Sequence, residues 1–480
     1  MSGSAPTTLL AAAAALRGGE TTAAALDAGL RDAADARAGD LNCFTWRAAA
    51  ADPFPGCEGG PPAGASPLWG LGGAVKANIC VRGRVADCGS RLLAGWRPPY
   101  QATVVGRLRE AGAHLVGATV MDEFGMGSST EHAATGPARN PHDPTRVPGG
   151  SSGGAAAAVA AGLAWFALGS DTGGSVRQPA HCCGVAGLRP TYGRISRHGL
   201  VAFASSLDQI GPLARTVADC AAVYEAVAGH DAADATSLRA PLGAPLDAAG
   251  RSAAGLTVGV PRGGPTPADA DTVSDFEASM EALRAAGVTV TDIDLPDPDI
   301  MLAAYTVIAA AEVSANLARF DGAVYGARAV GDTYADMVAR TRAEGFGREV
   351  KRRILLGTYV LSAGYRDAYY ERAQRARRRV AAAYAAALSA CDAIATPTAP
   401  AAAFPLGDKL DDPLRMYRSD VHTVGPSLSG LPALTVPTGR DRDGLPLSLQ
   451  LTGPALGEET LFTLGAAVEA ARGEGGGGGP

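Results

Sequence analysis

Short apolar runs alternate with amphipathic stretches along most of this 480-residue chain. Short apolar runs predict buried strands, whereas apolar side chains at every third or fourth position predict helices. The strands predicted in this way cover residues 113–118, 163–168, 256–260, 288–292, 393–396, 433–436 and 447–451. The helices predicted between them cover residues 104–111, 153–162, 216–228, 275–286 and 458–471. This alternation predicts an α/β fold, in which helices cover both faces of a mostly parallel or mixed central sheet.

Two regions depart from the alternation. The first 40 residues predict two helices separated by a glycine pair after Arg17, with Thr21 and Thr22 as candidate caps. Residues from about 300 to 390 carry long helical patterns, which predict a helical insertion covering the sheet. Its basic run at residues 372–379 favours a solvated helix face over contact with a phosphate backbone. We expect residues 1–472 to form one domain and the glycine-rich residues 473–480 to be disordered.

Composition excludes several classes of function. The net charge of −6 argues against a self-sufficient nucleic-acid binder, although a partner could supply a basic surface. The eight cysteines show no Cys-x-x-Cys spacing, which argues against a zinc site and favours reduced thiols in a cytoplasmic protein. We find no run close to the roughly 18 apolar residues of a membrane-spanning helix, so we expect a soluble protein without a membrane partner.

Two glycine-rich motifs carry the most specific chemical signal. They are Gly149-Gly-Ser-Ser-Gly-Gly154 and Ser170-Asp-Thr-Gly-Gly-Ser-Val-Arg-Gln-Pro179, and they flank one predicted helix and one predicted strand. At about 1.5 Å per helical residue and 3.3 Å per strand residue, the strand returns the chain to the level that the helix left. We therefore expect the hydroxyls of Ser151 and Ser175 to meet.

Other interpretations of the first motif fit less well. A flexible linker rarely joins a buried helix and strand directly. A phosphate-binding Walker loop would end in Gly-Lys-Ser/Thr, whereas Ala155 follows here. The Gly-x-Ser-x-Gly elbow of α/β-hydrolases follows a strand, whereas residues 141–148 predict a loop. The small residues before Ser175 suit either a tight turn or a set of backbone N–H groups that converge on an oxyanion.

Lys76 is the candidate base for a serine nucleophile. The chain has only three lysines, at positions 76, 351 and 409, among 42 basic residues. Lys76 lies in the otherwise uncharged, strand-like segment 71–80, where burial would favour the neutral amine that arginine cannot supply. None of the seven histidines lies in a distinctive acid–histidine context. Codon bias is the alternative explanation for the rarity of lysine.

The two motifs, together with a lysine 75 positions before Ser151, resemble the amidase signature family. This resemblance implies the amidase signature fold and a Ser, cis-Ser and Lys triad. Ser175 would be the nucleophile, Ser151 would relay its proton from within a cis peptide, and Lys76 would be the general base. The oxyanion hole would be formed by the backbone N–H groups of Thr172, Gly173, Gly174 and Ser175.

Further segments resemble one branch of that family, the glutamine-hydrolysing subunits of bacterial aspartyl/glutamyl-tRNA amidotransferases. These segments are residues 121–131, 187–194, 203–212, 345–353 and 416–420. The resemblance implies a glutaminase that supplies ammonia for amidating Glu or Asp misacylated on tRNA. Its partners would be glutamine, the B and C subunits of the complex and, through the B subunit, aminoacyl-tRNA. The chain itself would need no cofactor or metal, because ATP and Mg²⁺ would be used by the partner.

The same resemblance implies a site for a zwitterionic substrate. Arg353 would pair with the α-carboxylate of glutamine and Asp420 with its ammonium group, while Tyr305 would help to position it. Core and salt-bridge roles are the structural alternatives for Tyr305 and Arg353.

The sequence departs from the family at Ala77, where an Asp is usual beside the lysine, at Gly72, where Pro is usual, and at Ala155, where Ser is usual. The loss of an acid next to Lys76 would change how the base is held or its pKa. Two alternative functions therefore remain: a stand-alone amidase for another small amide, and a scaffold subunit whose activity has decayed.

Overall fold

The computed structural model describes residues 6–49 and 60–472, so the predicted disorder of residues 473–480 lies outside the described residues. Its strands are β1 (Phe44–Arg47), β2 (Gly72–Lys76), β3 (His114–Thr119), β4 (Phe166–Asp171), β5 (Ala186–Arg189), β6 (Gln209–Ala214), β7 (Thr257–Pro261), β8 (Thr289–Ile293), β9 (Ala393–Pro397), β10 (Ala433–Arg440) and β11 (Pro446–Thr452). Its helices are α1 (Leu9–Arg17), α2 (Ala23–Leu41), α3 (Thr103–Glu110), α4 (Gly153–Ala160), α5 (Arg177–Cys183), α6 (Val217–Val227), α7 (Pro245–Ala248), α8 (Ala270–Ala285), α9 (Pro298–Asn316), α10 (Tyr334–Gly345), α11 (Arg348–Leu361), α12 (Tyr370–Leu388), α13 (Pro413–Tyr417), α14 (Val424–Ser429) and α15 (Glu458–Arg472).

The strands form one mixed sheet in the order β1-β3-β2-β4-β6-β5-β10-β11-β9-β7-β8. Parallel pairing joins β2 to β3 and β4, and β7 to β8 and β9, whereas the other neighbouring pairs are antiparallel. The five residues between β10 and β11 are too few for the crossover that a parallel pair needs. The predicted mixed α/β sheet is confirmed, and its antiparallel pairs outnumber the parallel ones.

Apolar side chains alternate between the two faces of the sheet. In β4, Phe166 and Leu168 pack into one apolar cluster, together with α1, α3, α6, α8 and α15. Between them, Ala167 points to the opposite face and packs against α4 and α5. Helices therefore cover both faces, as the alternating pattern predicts. The lysine-bearing strand β2 is the neighbour of β4 in this arrangement.

A second apolar core joins α9, α11, α12 and α14, within the region where the sequence predicts a helical insertion. Contrary to our expectation, one stretch, Pro298–Arg319, is long and apolar enough to cross a membrane by length and composition. Its residues Met301, Ile308 and Val313 are buried in the second core, however, where α9 packs against its neighbouring helices. This packing explains the apolar stretch as the central helix of a folded layer.

Candidate active site

Three loops meet where β2 and β4 end. Because these strands are parallel neighbours, Lys76 at the end of β2 and Asp171 at the end of β4 lie at the same edge of the sheet. The loop before α4 lies against the loop after β4, since the Ser152 N–H donates to the carbonyl oxygen of Ser175 at 3.1 Å. The fold therefore brings together the lysine and the two glycine-rich motifs.

Lys76 is fully buried, and its amine contacts two serines. Nζ lies 2.7 Å from Oγ of Ser151, 2.9 Å from Oγ of Ser170 and 3.2 Å from the carbonyl oxygen of Ser170. Burial lowers the pKa of Lys76 to about 7, although nearby carboxylates, chiefly Asp122, oppose the shift. A neutral amine is therefore available near neutral pH, within reach of the Ser151 proton.

Ser151 follows a cis peptide bond, Gly150–Ser151, as the family resemblance predicts. The N–H of Gly150 donates to Oε1 of Gln178 at 2.8 Å, and Thr130 Oγ1 donates to the carbonyl oxygen of Gly149 at 2.6 Å. A Cβ atom at position 150 would overlap a carboxylate oxygen of Asp122. The loop thus needs glycine at this position because buried polar groups approach its backbone closely.

The loop of residues 172–175 offers free backbone donors beside the Ser175 hydroxyl. Among the residues that the structure describes, none accepts a hydrogen bond from these four N–H groups. The carbonyl oxygen of Gly173 instead accepts from Oγ1 of Thr423 at 2.6 Å. Gly174 has a φ of +148°, and a Cβ atom there would overlap the Thr423 side chain. Unused N–H groups next to a hydroxyl meet the requirement for an oxyanion hole.

A buried ionic network holds the base of this loop. Asp171 accepts from Arg177 at 2.9 and 3.1 Å, from Arg189 at 3.0 Å and from the Val176 N–H at 3.1 Å. Burial alone would raise the pKa of Asp171, but the two guanidinium groups hold it well below its usual range. Breaking such a pair leaves a buried charge without a partner, which makes the loop resistant to deformation.

Ser175 lines a cavity that is partly open to solvent. The structure places all three predicted substrate-binding residues, Tyr305, Arg353 and Asp420, in the wall of this same cavity. The other residues of the wall are Gly125, Gly127, Ser128, Leu302, Thr306, Ala310, Leu356 and Tyr417. The site therefore combines a nucleophile with one charged group of each sign.

The cationic group of the cavity is the guanidinium of Arg353. Its Nε donates to Oε1 of Glu349 at 2.7 Å, and its plane lies over the Tyr417 ring at 4.8 Å. Burial alone would lower the pKa of Arg353, but the neighbouring Tyr417 and Glu349 raise it above its usual value. Its two Nη groups donate to no acceptor in the described part of the chain. They remain available for a bidentate contact with a carboxylate.

The anionic group is Asp420, which has one satisfied and one unsatisfied oxygen. Oδ2 accepts from Oγ of Ser128 at 2.5 Å. Oδ1 is buried and has no partner among the described residues. Burial raises the pKa of Asp420 to about 7. A ligand ammonium group would satisfy Oδ1 and stabilise the ionised carboxylate, so the cavity suits a zwitterion.

Comparison with known proteins identifies the family. The sequence profile of the Amidase family matches residues 39–462. The chain belongs to the amidase family. This amidase is 53% identical over 407 residues to the A subunit of the glutamyl-tRNA(Gln) amidotransferase of Moorella thermoacetica, a match that covers 84% of this chain and 83% of the relative. The protein of the same name from Deinococcus radiodurans is 50% identical over 465 residues, covering 95% of this chain and 96% of the relative.

The fold of this amidase also matches a solved structure of that group. The crystal structure of the A subunit of the glutamyl-tRNA(Gln) amidotransferase from Thermotoga maritima superposes with a TM-score of 0.78 at 38% identity, covering 92% of this chain and 90% of the other. The predicted membership of the amidase signature family, and the predicted branch within it, are confirmed by these relatives.

Two of the three sequence departures, at Ala77 and Gly72, have local structural explanations, and nothing in the structure explains the departure at Ala155. Ala77 packs in the apolar cluster on one face of the sheet, while Ser170 supplies two of the contacts of the Lys76 amine. Asn78 in turn donates to Oγ of Ser170 at 3.0 Å. A Cβ atom at Gly72 would lie 2.6 Å from Cγ1 of Val116, so this strand position is crowded. The amine of this amidase is thus held by neutral groups.

Sequence reasoning missed several residues of the site. Ser170 and Gln178 lie within the second motif, and Ser128 lies in the segment 121–131, but nothing in the residue pattern assigned them a role. Glu349 precedes Arg353 by four positions, a spacing that predicts an ion pair on a helix. For Thr423 the sequence carries no signal, because only the fold brings it to the nucleophile loop.

Proposed function

We propose that this chain is the glutamine-hydrolysing subunit of a tRNA-dependent amidotransferase. The observation that carries the proposal is the cavity beside Ser175, in which the Nη groups of Arg353 and Oδ1 of Asp420 both lack a partner within the described part of the protein. These groups complement the carboxylate and ammonium of an amino acid, whose side-chain amide would then reach Ser175. The relatives carry the name of the A subunit of such an enzyme, which supports the same assignment.

The acylation step that we propose uses the contact between Lys76 and Ser151. The Ser175 hydroxyl attacks the side-chain amide carbon of glutamine as its proton passes to Ser151, whose own proton passes to the neutral Lys76 amine. The negative oxygen of the tetrahedral intermediate is stabilised by the free N–H groups of the 172–175 loop. Collapse breaks the C–N bond, the proton returns to the leaving nitrogen, ammonia departs, and a glutamyl ester of Ser175 remains.

Deacylation repeats the steps with water. Lys76, neutral again, accepts a proton through Ser151 as water attacks the ester, and the proton is then returned to Ser175 as glutamate is released. The net reaction converts glutamine and water into glutamate and ammonia. We assign the use of that ammonia, of ATP and of Mg²⁺ to the companion B and C subunits in the cytoplasm, with aminoacyl-tRNA bound through the B subunit.

The test compares three serine variants in their hydrolysis of glutamine. We expect ammonia release from glutamine to be abolished by Ser175→Ala and to fall by about 10²–10⁴-fold in Ser151→Ala, which removes the relay. Ser152→Ala is the control, since Oγ of Ser152 contacts the carbonyl oxygen of Ser170 at 3.3 Å and has no assigned proton transfer. Near-normal turnover in Ser175→Ala would contradict the mechanism.

The same assay separates the alternative functions. Asp420→Asn should reduce hydrolysis of glutamine but leave hydrolysis of simple aliphatic and aromatic amides nearly unchanged. A wild-type enzyme that prefers those simple amides would be a stand-alone amidase instead. A purified protein that fails to react with a serine-directed probe would be a decayed scaffold.

A further inference from the structure

The helical layer exposes an apolar and cationic surface that the proposed reaction does not use. We call it the tyrosine–arginine surface, and it comprises Leu355, Tyr359, Tyr365, Tyr369, Arg372 and Arg375. Leu355 is 70% exposed, and each of the three tyrosines is more than 40% exposed. Single exposed apolar residues are ordinary on soluble proteins, whereas a contiguous group is typical of an interaction site.

The three tyrosines form one ordered cluster. The ring centroids of Tyr359 and Tyr365 are 4.5 Å apart, and Tyr369 lies 5.8 and 6.2 Å from them. Successive turns hold the connecting loop, because the N–H of Tyr365 donates to Ser362 and the N–H of Tyr369 donates to Tyr365. The rings are therefore positioned before any partner arrives, which reduces the entropy cost of binding.

The arginines continue this cluster along α12. Arg372, Arg375 and Arg379 follow each other at spacings of three and four, which places them on one helix face, and Arg378 is exposed nearby. The opposite face of α12 is buried through Val380 and other residues. Within the described ranges, none of these four arginines has an acidic partner. A cationic face on a chain of net charge −6 complements an acidic partner.

The chemistry favours a protein over RNA. Nucleic acids bind aromatic faces that are open for base stacking. Tyr359 and Tyr365 instead pack against each other, with ring centroids 4.5 Å apart and ring planes tilted by 34°, so each ring covers part of one face of the other. The half-exposed tyrosines and the aliphatic Leu355 beside arginines match the composition of protein–protein interfaces.

We propose that the tyrosine–arginine surface binds an acidic face of the companion subunit that receives the ammonia, a proposal that rests on the proposed function. Helix α11 links the two sites, because Arg353 and Leu356 line the active-site cavity while Leu355 and Tyr359 face outward. A helix is about 10 Å across, so a protein bound to the outer side would lie close to the site of ammonia release.

The test uses the full chain and the companion subunits from the same organism, purified together and separately. One variant pair is Tyr359→Ala with Tyr365→Ala, and another is Arg372→Glu with Arg375→Glu. The matched control is Arg82→Glu with Arg109→Glu, which reverses two exposed charges elsewhere. All the substitutions are at exposed positions, so the isolated variants should hydrolyse glutamine within about two-fold of the wild type.

We expect the dissociation constant for the companion subunits to rise at least about ten-fold in both surface pairs and to be unchanged in the control pair. The charge-reversal pair should also slow association and weaken its dependence on salt. Unchanged affinity in both surface pairs would overturn the proposal while leaving the glutaminase assignment intact. Loss of tRNA binding or of self-association, while the companion subunits still bind, would overturn it as well. A wild-type chain without glutaminase activity would instead contradict the proposed function itself.

Discussion

Lys76 is a buried lysine that contacts no carboxylate of the described residues. Its amine forms hydrogen bonds with serine hydroxyl and carbonyl oxygens, and these neutral groups do not stabilise a charge as an ion pair would. The neutral amine is therefore favoured, and this is the form that can accept a proton from Ser151. The rarity of lysine in the chain predicted this residue, whereas its contact with Ser170 depends on the pairing of two strands and could not be predicted.

Replacement of Lys76 tests its role as a base. Arginine keeps the charge but has no removable proton near neutral pH, so Lys76→Arg should reduce kcat for glutamine about as much as Lys76→Ala, by about 10²–10⁴-fold. Steady-state ammonia release measures this effect. Near-normal kcat in the arginine variant would exclude Lys76 as the base.

The pH profile depends on two residues with pKa values near 7. Burial lowers the pKa of Lys76 and raises that of Asp420, each to about 7. Below pH 7, Lys76 is mainly protonated, whereas it must be neutral to act as the base. Asp420 is also mainly protonated, whereas it must be ionised to bind the ammonium group. For glutamine, log kcat/KM should therefore fall with a slope approaching two. A simple amide has no ammonium group and should show a slope near one; equal slopes would argue against Asp420 as the ammonium site.

At the scale of elements, the seven strands predicted by apolar runs are all present, with shifted boundaries. The first residue of a strand shifts most in β4, which begins at Phe166 instead of the predicted Leu163. The reason is the end of α4, where Gly162 has a φ of +73° and the Leu163 N–H donates to the carbonyl oxygen of Ala158. β1, β5 and β6 were missed, and in β5 and β6 polar residues obscure the pattern. Arg189 bonds to Asp171, and Gln209 accepts from the Gly193 N–H at 2.8 Å. Arg189 and Gln209 therefore interrupt the apolar pattern because their side chains form hydrogen bonds around the site.

Glu123 is a buried carboxylate that lies outside the cavity and contacts the start of helix α11. Its Oε2 accepts from the Gly347 N–H at the start of α11 at 2.8 Å, and its Oε1 accepts from Oγ of Ser90 at 2.5 Å. Since α11 carries Arg353, Glu123→Ala should displace that side chain and raise KM for glutamine about ten-fold, with a smaller effect on kcat.

The matched variant for this prediction is Glu123→Gln, which retains an oxygen acceptor and should restore most of the affinity. Steady-state kinetics with glutamine and with a simple amide would distinguish positioning from general destabilisation. An equal loss for both substrates would show that Glu123 acts only through stability.

At the scale of the molecule, the candidate active site lies between the sheet and the helical layer. The sheet supplies Lys76 and the two serine loops, and the helical layer supplies Tyr305 and Arg353. Spacing along the chain could predict the first set, because one helix and one strand connect the two serines. It could not predict the second set, because α9 and α11 meet the cavity only through packing in the second core. For those residues the prediction came from family resemblance alone.

If Asp420 binds the ammonium group as proposed, its Oδ1, which has no partner among the described residues, should make substrate binding a proton-exchange reaction with the solvent. Near pH 7 the empty site holds this carboxyl about half protonated, and the arriving ammonium group requires it to be ionised. Each glutamine bound should then release about half a proton at pH 7, and less as the pH rises. Calorimetry of the Ser175→Ala variant in buffers of different ionisation enthalpy would measure the release, which should disappear when Asp420→Asn is added. The empty enzyme would thus carry a proton as a temporary substitute for part of its substrate's charge.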